Sequence, residues 1–215
     1  MMYTAQQPRE KLYTLTESDC AAMRQRLQAM QVPHTDDGQI HALCFAGYAN
    51  GIPSADGPRT DEYYTLQYLH CDPSYLLLRL VGSEAEETMV TEEECRALLA
   101  GETDWLLQRH NPLLRRFHEE LTEYMLLPRI LLSCTRERFT LPESGMVFTF
   151  HHDLRSTMEH MDFLDPQRLE PELEPEDTGI CLHITAPDGI PDEILCLIRE
   201  TAPRRRRFGG NYLPS

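Results

Sequence analysis

Lysine is almost missing from this chain. Lys11 stands alone beside nineteen arginines, and these 20 cations face 35 carboxylates, so the formal net charge is −15 at pH 7. A balance of that sign argues against general binding to nucleic acid or to anionic membrane. Long apolar runs are lacking too. None approaches the roughly 20 residues a membrane-spanning helix needs. The opening stretch "MMYTAQQPREKLY" has no apolar core and does not read as a signal peptide. None of the seven cysteines sits in a CxxC pair, and an odd, scattered set in 215 residues reads as reduced, buried thiols. The sequence holds no P-loop, no GxGxxG, no zinc-knuckle spacing and no Ser-His-Asp order. These absences lead to the expectation of a soluble, cytoplasmic protein without a membrane span and without a nucleic-acid partner.

What is present is a mixture of helix-like and strand-like segments with no repeating βα order. A helix is expected from Thr16, a plausible N-cap, to Met30, with Cys20, Met23, Leu27 and Met30 on one face. A strand follows around Ile40–Phe45, then a loop rich in Gly, Pro, Asn and Asp. "TEEECRALLAG" carries a capping box in Thr91 and Glu94 and a stop at Gly101. "NPLLRRFHEELTEYMLL" is a second such helix, capped by Asn111 with Pro112 in its first turn, and Leu114, Phe117, Leu121 and Tyr124 form its apolar stripe. Trp105 is expected between these two helices. "RILLSCTRERFTL" and "MVFTFHHDLRS" read as strands around a Pro-Glu-Ser-Gly turn, "GICLHIT" as a strand and "PDEILCLIRETA" as a helix. Residues 162–179 are acidic and proline-rich and read as a loop, and Glu84–Glu87 and Glu92–Glu94 as solvated surface. No break marks a domain boundary, so residues 1–215 are expected to form one domain.

The stretch "YTLQYLHCDPSYLLLRL", residues 64–80, predicts two strands joined by a turn at His70–Ser74. Period-two alternation puts Tyr64, Leu66, Tyr68, Leu76, Leu78 and Leu80 on one face. Thr65, Gln67, Tyr75, Leu77 and Arg79 fall on the other. A solvated second face would carry more charge than one arginine. A sheet closed on itself, whose second face lines an interior, accounts for this.

The order of segments from about Arg9 to Tyr212, through the helices of residues 91–124 and the strands "RILLSCTRERFTL" and "MVFTFHHDLRS" to "APRRRRFGGNY", resembles the VTC domain. That family lies in the CYTH-like, triphosphate-tunnel superfamily and includes polyphosphate polymerases. The resemblance implies an α+β fold: an antiparallel β-barrel tunnel with helices packed outside. It implies inward Arg and Lys side chains that hold a triphosphate or polyphosphate, and an inward carboxylate that holds Mn²⁺ or Mg²⁺.

Carried over residue by residue, the family pattern departs at most of these places. Thr65 and Gln67 stand where the family has Arg-x-Arg, and Leu77, Arg79 and Val81 where it has Lys, Glu and Lys. Glu10 is kept, but Leu12 replaces a lysine and His41 an arginine. Arg136 is kept. Val147 replaces an arginine, His151 an aspartate, His183 the metal-binding glutamate, Thr185 its lysine partner and Asn211 the last lysine. Arg204–Arg207, including Arg206 and Arg207, is either an inherited anion contact at the tunnel mouth or a partner for the acidic stretch. His151 and His183 are either metal ligands or interior histidines.

The resulting expectation is a catalytically degenerate member that binds, regulates or scaffolds. The alternative is an active enzyme that makes or cleaves polyphosphate from ATP with Mn²⁺ or Mg²⁺. The implied partners are a phosphate-rich anion and a membrane-associated protein complex, with the chain reaching the cytoplasmic face of a membrane through such a partner.

Overall fold

The computed structural model describes residues 9–46, 48–49, 52–53, 62–81, 84–157, 163–165, 174–175, 179–187, 190 and 192–201. The elements run β1 (Arg9–Leu15), α1 (Glu17–Ala29), β2 (His34–Ala46), β3 (Tyr48–Ala49), β4 (Ile52–Pro53), β5 (Glu62–Leu69), β6 (Ser74–Val81) and β7 (Glu84–Val90). They continue as α2 (Glu92–Leu99), α3 (Trp105–Gln108), α4 (Pro112–Glu123), β8 (Leu127–Leu141), β9 (Met146–Thr157), β10 (Glu174–Pro175), β11 (Ile180–Ala186) and α5 (Asp192–Thr201).

The main sheet is an α+β scaffold of eight strands in the order β1-β11-β9-β8-β2-β5-β6-β7, with the short β10 beside β9. Among the described residues, β1 and β7 end the ladder. The local signals for the helices act as the sequence implies. Thr16 and Thr91 each accept from the backbone N–H three residues on, and Asp19 and Glu94 return the bond, so both helices open with a capping box. The Asn111 side chain accepts from the N–H groups of Leu113 and Leu114. Gly101, at φ +82°, takes the left-handed turn after α2 that a Cβ would disfavour.

Two stretches form strands where none is expected. Residues 85–87 are exposed, as expected of solvated surface, and Glu84–Glu87 is also the start of β7, which pairs with β6. Its charges suit an end strand, where they discourage pairing with another chain. Trp105, expected between the two helices, opens the short helix α3 and packs on the core to which both α2 and α4 contribute. Within the acidic stretch expected as a loop, Glu174–Pro175 pairs with β9.

The chain divides into two compact units. One comprises Met1–Gly38, Cys134–Leu154 and Pro175–Gly210, and the other Gln39–Ser133, Arg155–Glu174 and Asn211–Ser215. In the first unit, α1 and α5 cover one sheet face. Met23, Leu27, Ile194 and Ile198 pack there on Tyr13, Leu15, Phe139, Met146, Phe148, Phe150, Leu182 and Ile184. In the second unit, α2, α3 and α4 supply Cys95, Leu98, Leu106, Leu114 and Phe117 to a core shared with Leu43, Phe45, Tyr64, Leu66, Leu77 and Leu131. The Phe117 ring lies 4.7 Å from that of Tyr64 and 5.2 Å from that of Phe45.

The register of the β5–β6 hairpin corrects the expected faces. Leu69 pairs with Ser74, so four residues form the turn, and Leu66 lies opposite Leu77 and Tyr64 opposite Arg79. Residues directly opposite share a face. Leu77, Arg79 and Tyr75 therefore join Leu66, Tyr64 and Tyr68 on the helix-covered side, away from Thr65 and Gln67. An even-length turn makes an odd residue on one strand face with an even residue on the other. The same logic moves His41, which pairs with Tyr68.

Leu77→Ala is expected to lower the unfolding free energy by about 2–5 kcal/mol, the range for truncating a buried leucine. Thr91→Ala, which removes only a cap, should cost about 1 kcal/mol. Urea unfolding of the two variants checks the order. A Leu77→Ala protein as stable as the parent would refute this register.

Candidate functional site

In the second unit, the sheet face away from the helices is buried and neutral at its centre, with the exposed Glu87 of β7 at its edge, opposite Leu78. Ala42, Cys44, Thr65, Gln67, Leu78, Leu80 and Leu132 are all buried there. Gln67 Nε2 donates to Thr65 Oγ1 at 3.4 Å, so the two polar side chains face each other. Arg79 lies on the opposite face and pairs with Glu86 at 3.6 Å. His41 is buried on that helix side, its ring edge-on to His70 at 4.6 Å. Neither shares a face with Thr65 and Gln67, so the expected grouping of the two with that pair does not form.

In the first unit, the face away from α1 carries Val147, Thr149 and His151 from β9 beside Cys181, His183 and Thr185 from β11. Thr149 and His151 are buried and Val147 is half-buried. Leu12 pairs with His183 and Glu10 with Thr185. Among the described residues, His151 and His183 belong to no set of three or more His, Cys, Asp or Glu ligands. Arg206, Arg207, the rest of the 204–207 run and Asn211 lie outside the described residues.

Arg136 is buried beside Asp37. Its Nε donates to Asp37 Oδ2 at 2.7 Å, and the two side chains are 6 % and 7 % exposed. Burial pulls the Arg136 guanidinium below its ordinary range, against the opposing attraction of Asp37. Arg138, two residues on along the same face, donates from Nη2 to Asp37 Oδ1 at 2.9 Å. One carboxylate thus holds two guanidiniums.

The neighbouring residue on β8 points the other way, under α1. Glu137 is buried, and its carboxylate accepts from Arg24 Nε and lies 3.0 Å from His152 Nε2 and 3.2 Å from His34 Nε2. Burial alone would raise its pKa, but the hydrogen bonds from His152 and Arg24 outweigh burial and hold the carboxyl below its ordinary 4.5. Cys20 completes this cluster, and its thiol is pushed up to about 11, chiefly by burial. Burial pushes the Cys44, Cys95 and Cys134 thiols up to about 12, so none of these is a ready thiolate nucleophile.

The sequence reading did not single out Asp37, Glu137, Arg138, Arg24, His34 or His152. One signal was present. Arg136, Glu137 and Arg138 are three consecutive charges inside a strand, and alternation must bury at least one of them when both faces are covered.

No protein-family model and no curated protein matches the sequence. Solved structures do. A candidate adenylate cyclase from Bacillus halodurans is similar at TM-score 0.53 and 7 % identity, covering 94 % of this chain and 93 % of that one. The PH1819 protein of Pyrococcus horikoshii OT3 is similar at TM-score 0.52 and 11 % identity, covering 94 % and 92 %. A candidate adenylyl cyclase from Hippeastrum, described as having a dominant triphosphatase activity, is similar at TM-score 0.50 and 12 % identity, covering 90 % and 86 %. The sheet order and these matches agree. This is the CYTH-like, triphosphate-tunnel fold. At such identities the tunnel fold is shared and the chemistry is not thereby carried over. Among the described residues, no helix is long and apolar enough to cross a membrane.

Two outcomes follow from the charge pairs. Asp37→Ala leaves Arg136 buried without its carboxylate and should lower the unfolding free energy by about 3–5 kcal/mol. A loss under about 1 kcal/mol in chemical denaturation would mean that Arg136 reaches water. For Glu137, the folded-state pKa is depressed, so its contribution to stability is full above 4.5 and is lost as pH falls through the lower folded value. Unfolding free energy should therefore decline with falling pH below 4.5, and less steeply in Glu137→Gln. Equal slopes in the two proteins would show that Glu137 is not the source.

Proposed function

We propose that this chain is a non-catalytic protein with the triphosphate-tunnel fold, of the VTC type, that binds or scaffolds rather than transferring phosphate. The observation that carries this reading is Arg136. Among the described residues, it is the one arginine of the expected cation set on the face away from the helices, and Asp37 already holds it at 2.7 Å. Thr65, Gln67, Val147 and Thr185 stand at other positions where the family pattern has cations. Polyphosphate needs several fixed cations in a poorly hydrated site, because every phosphate brings further charge. Here an incoming phosphate would have to displace Asp37 and enter against a formal net charge of −15. A protein that keeps this scaffold without those cations is suited to contacts with another protein. The VTC resemblance points to a partner within a membrane-associated complex, met from the cytoplasmic side.

The competing reading is a triphosphate-cleaving or polyphosphate-forming enzyme using Mn²⁺ or Mg²⁺. The activity described for the Hippeastrum protein favours it. Calorimetry with tripolyphosphate and with ATP, each with Mg²⁺ and with Mn²⁺, separates the two, alongside assays of phosphate release and polyphosphate formation. The expected outcome is no saturable binding and no turnover. Metal-dependent turnover that disappears in Arg136→Ala would overturn the proposal in favour of the enzyme.

A further inference from the structure

We propose that Cys20, His34, Glu137 and His152 form a binding site for a zinc-like divalent ion beneath α1, on the helix-covered side of the first unit. The four donors come from four elements: Cys20 from α1, His34 from the start of β2, Glu137 from β8 and His152 from β9. The ligand atoms of Cys20, Glu137 and His152 all lie within 4.8 Å of one another. His34 Nε2 approaches the same carboxylate at its other oxygen, 3.2 Å from Oε2. Zinc bonds of about 2.0–2.3 Å set tetrahedral ligand atoms about 3.3–3.8 Å apart. Closing Cys20, Glu137 and His152 to that size asks for side-chain adjustments of about 1 Å, within reach of small χ changes.

The donor set suits the ion. One sulfur, two imidazoles and one carboxylate match a borderline-soft cation, and do not match Mg²⁺ or Ca²⁺, which take oxygen. This site is also separate from the His151 and His183 pair. His152 alternates to the opposite side of β9, where its ring stacks along Phe150.

A cation already lies among these groups. The Arg24 guanidinium donates from Nε to Glu137 Oε1, and its Nη2 lies 2.9 Å from His152 Nε2. That same Nε2 is 3.0 Å from Glu137 Oε1. The ring nitrogen can accept from Arg24 or donate to Glu137, but not both at once. A lone pair offered to a cation and a proton offered to a carboxylate are thus in competition, and an ion bound to both Nε2 and Oε1 satisfies both acceptors together. The Arg24 side chain is 37 % exposed, so its tip can turn to water when the ion enters. The balance closes: the Cys20 S–H bond breaks, its proton goes to solvent, the sulfur–metal bond forms and Arg24 is released.

The test uses the full chain with Cys71→Ser and Cys196→Ser, since those two thiols are exposed. Co²⁺ alone and Zn²⁺ alone are titrated. The expected result is one ion per chain, with a thiolate-to-cobalt charge-transfer band that vanishes in Cys20→Ser. His152→Ala should weaken Zn²⁺ by at least about 10–100-fold, the loss that even an outer partner of a ligand causes. Arg24→Met should bind Zn²⁺ more tightly than the parent, and His151→Ala should bind as the parent does. Far-UV circular dichroism checks folding of each variant. A band that persists in Cys20→Ser overturns the proposal. So does an absence of Co²⁺ binding in a folded Arg24→Met protein, which has lost the competing cation and kept all four donors.

Discussion

A strand covered on both faces cannot keep a charge on either face unless that charge brings its counter-charge with it. Burying an isolated ion costs several kcal/mol after relaxation, a large part of a domain stability of about 5–15 kcal/mol. The central strands here meet that condition in two ways. Thr65, Gln67 and Thr149 are buried but neutral. Arg136 and Glu137 are buried and charged, and each has a partner of opposite sign, Asp37 and Arg24. Adjacent residues on one strand point to opposite faces, so β8 carries two ion-pair systems back to back. Asp37 comes from β2 and Arg24 from α1, so each pair also ties β8 to a different neighbour.

The parts of the fold legible in the sequence are those set by neighbours in the chain. Thr91 and Glu94 are three residues apart, as are Thr16 and Asp19, and a capping box needs nothing else. The two strands of the β5–β6 hairpin are equally local, but the turn expected at His70–Ser74 is one residue shorter, His70–Pro73. What the sequence did not yield is the relation between strands. Alternation assigns faces within β5 and within β6. Matching one strand to the other requires the turn length, and the four residues between Leu69 and Ser74 place Leu77 with Leu66 rather than with Thr65. β7 is hidden by its composition, because three glutamates and one alanine at Glu84–Glu87 look like a solvated loop until an end strand explains them.

The candidate site was less legible than the fold, for a physical reason. Asp37 and Arg136 are 99 residues apart, and Arg24 and Glu137 are 113 apart. No periodicity links such positions. The neighbouring of β8 and β2 brings the first pair together, and the packing of α1 on the sheet brings the second. The family resemblance directed attention to the sheet faces away from the helices, and there the polar inventory is mostly neutral. Cys20 is a buried residue of α1 as its place on the apolar stripe implies, whereas Cys71 and Cys196 are exposed, against the expectation of buried thiols, and nothing in the sequence relates Cys20 to Glu137 and His152 on other elements.

The fold therefore separates architecture from chemistry along its own alternation. Thr65, Gln67 and Val147 can differ from the cations of the resembled family pattern without touching the apolar partners Leu66, Phe148 and Phe150, because every second residue answers to a different environment. The helix-covered cores that hold the sheet together are insensitive to what the other face binds. The same independence works in the opposite direction. Polar groups can collect on the helix side, at Glu137 and His152, without disturbing the Arg136–Asp37 pair one residue away. Alternation therefore lets the polar groups on one face of such a sheet vary independently of those on the other, with the strand order intact.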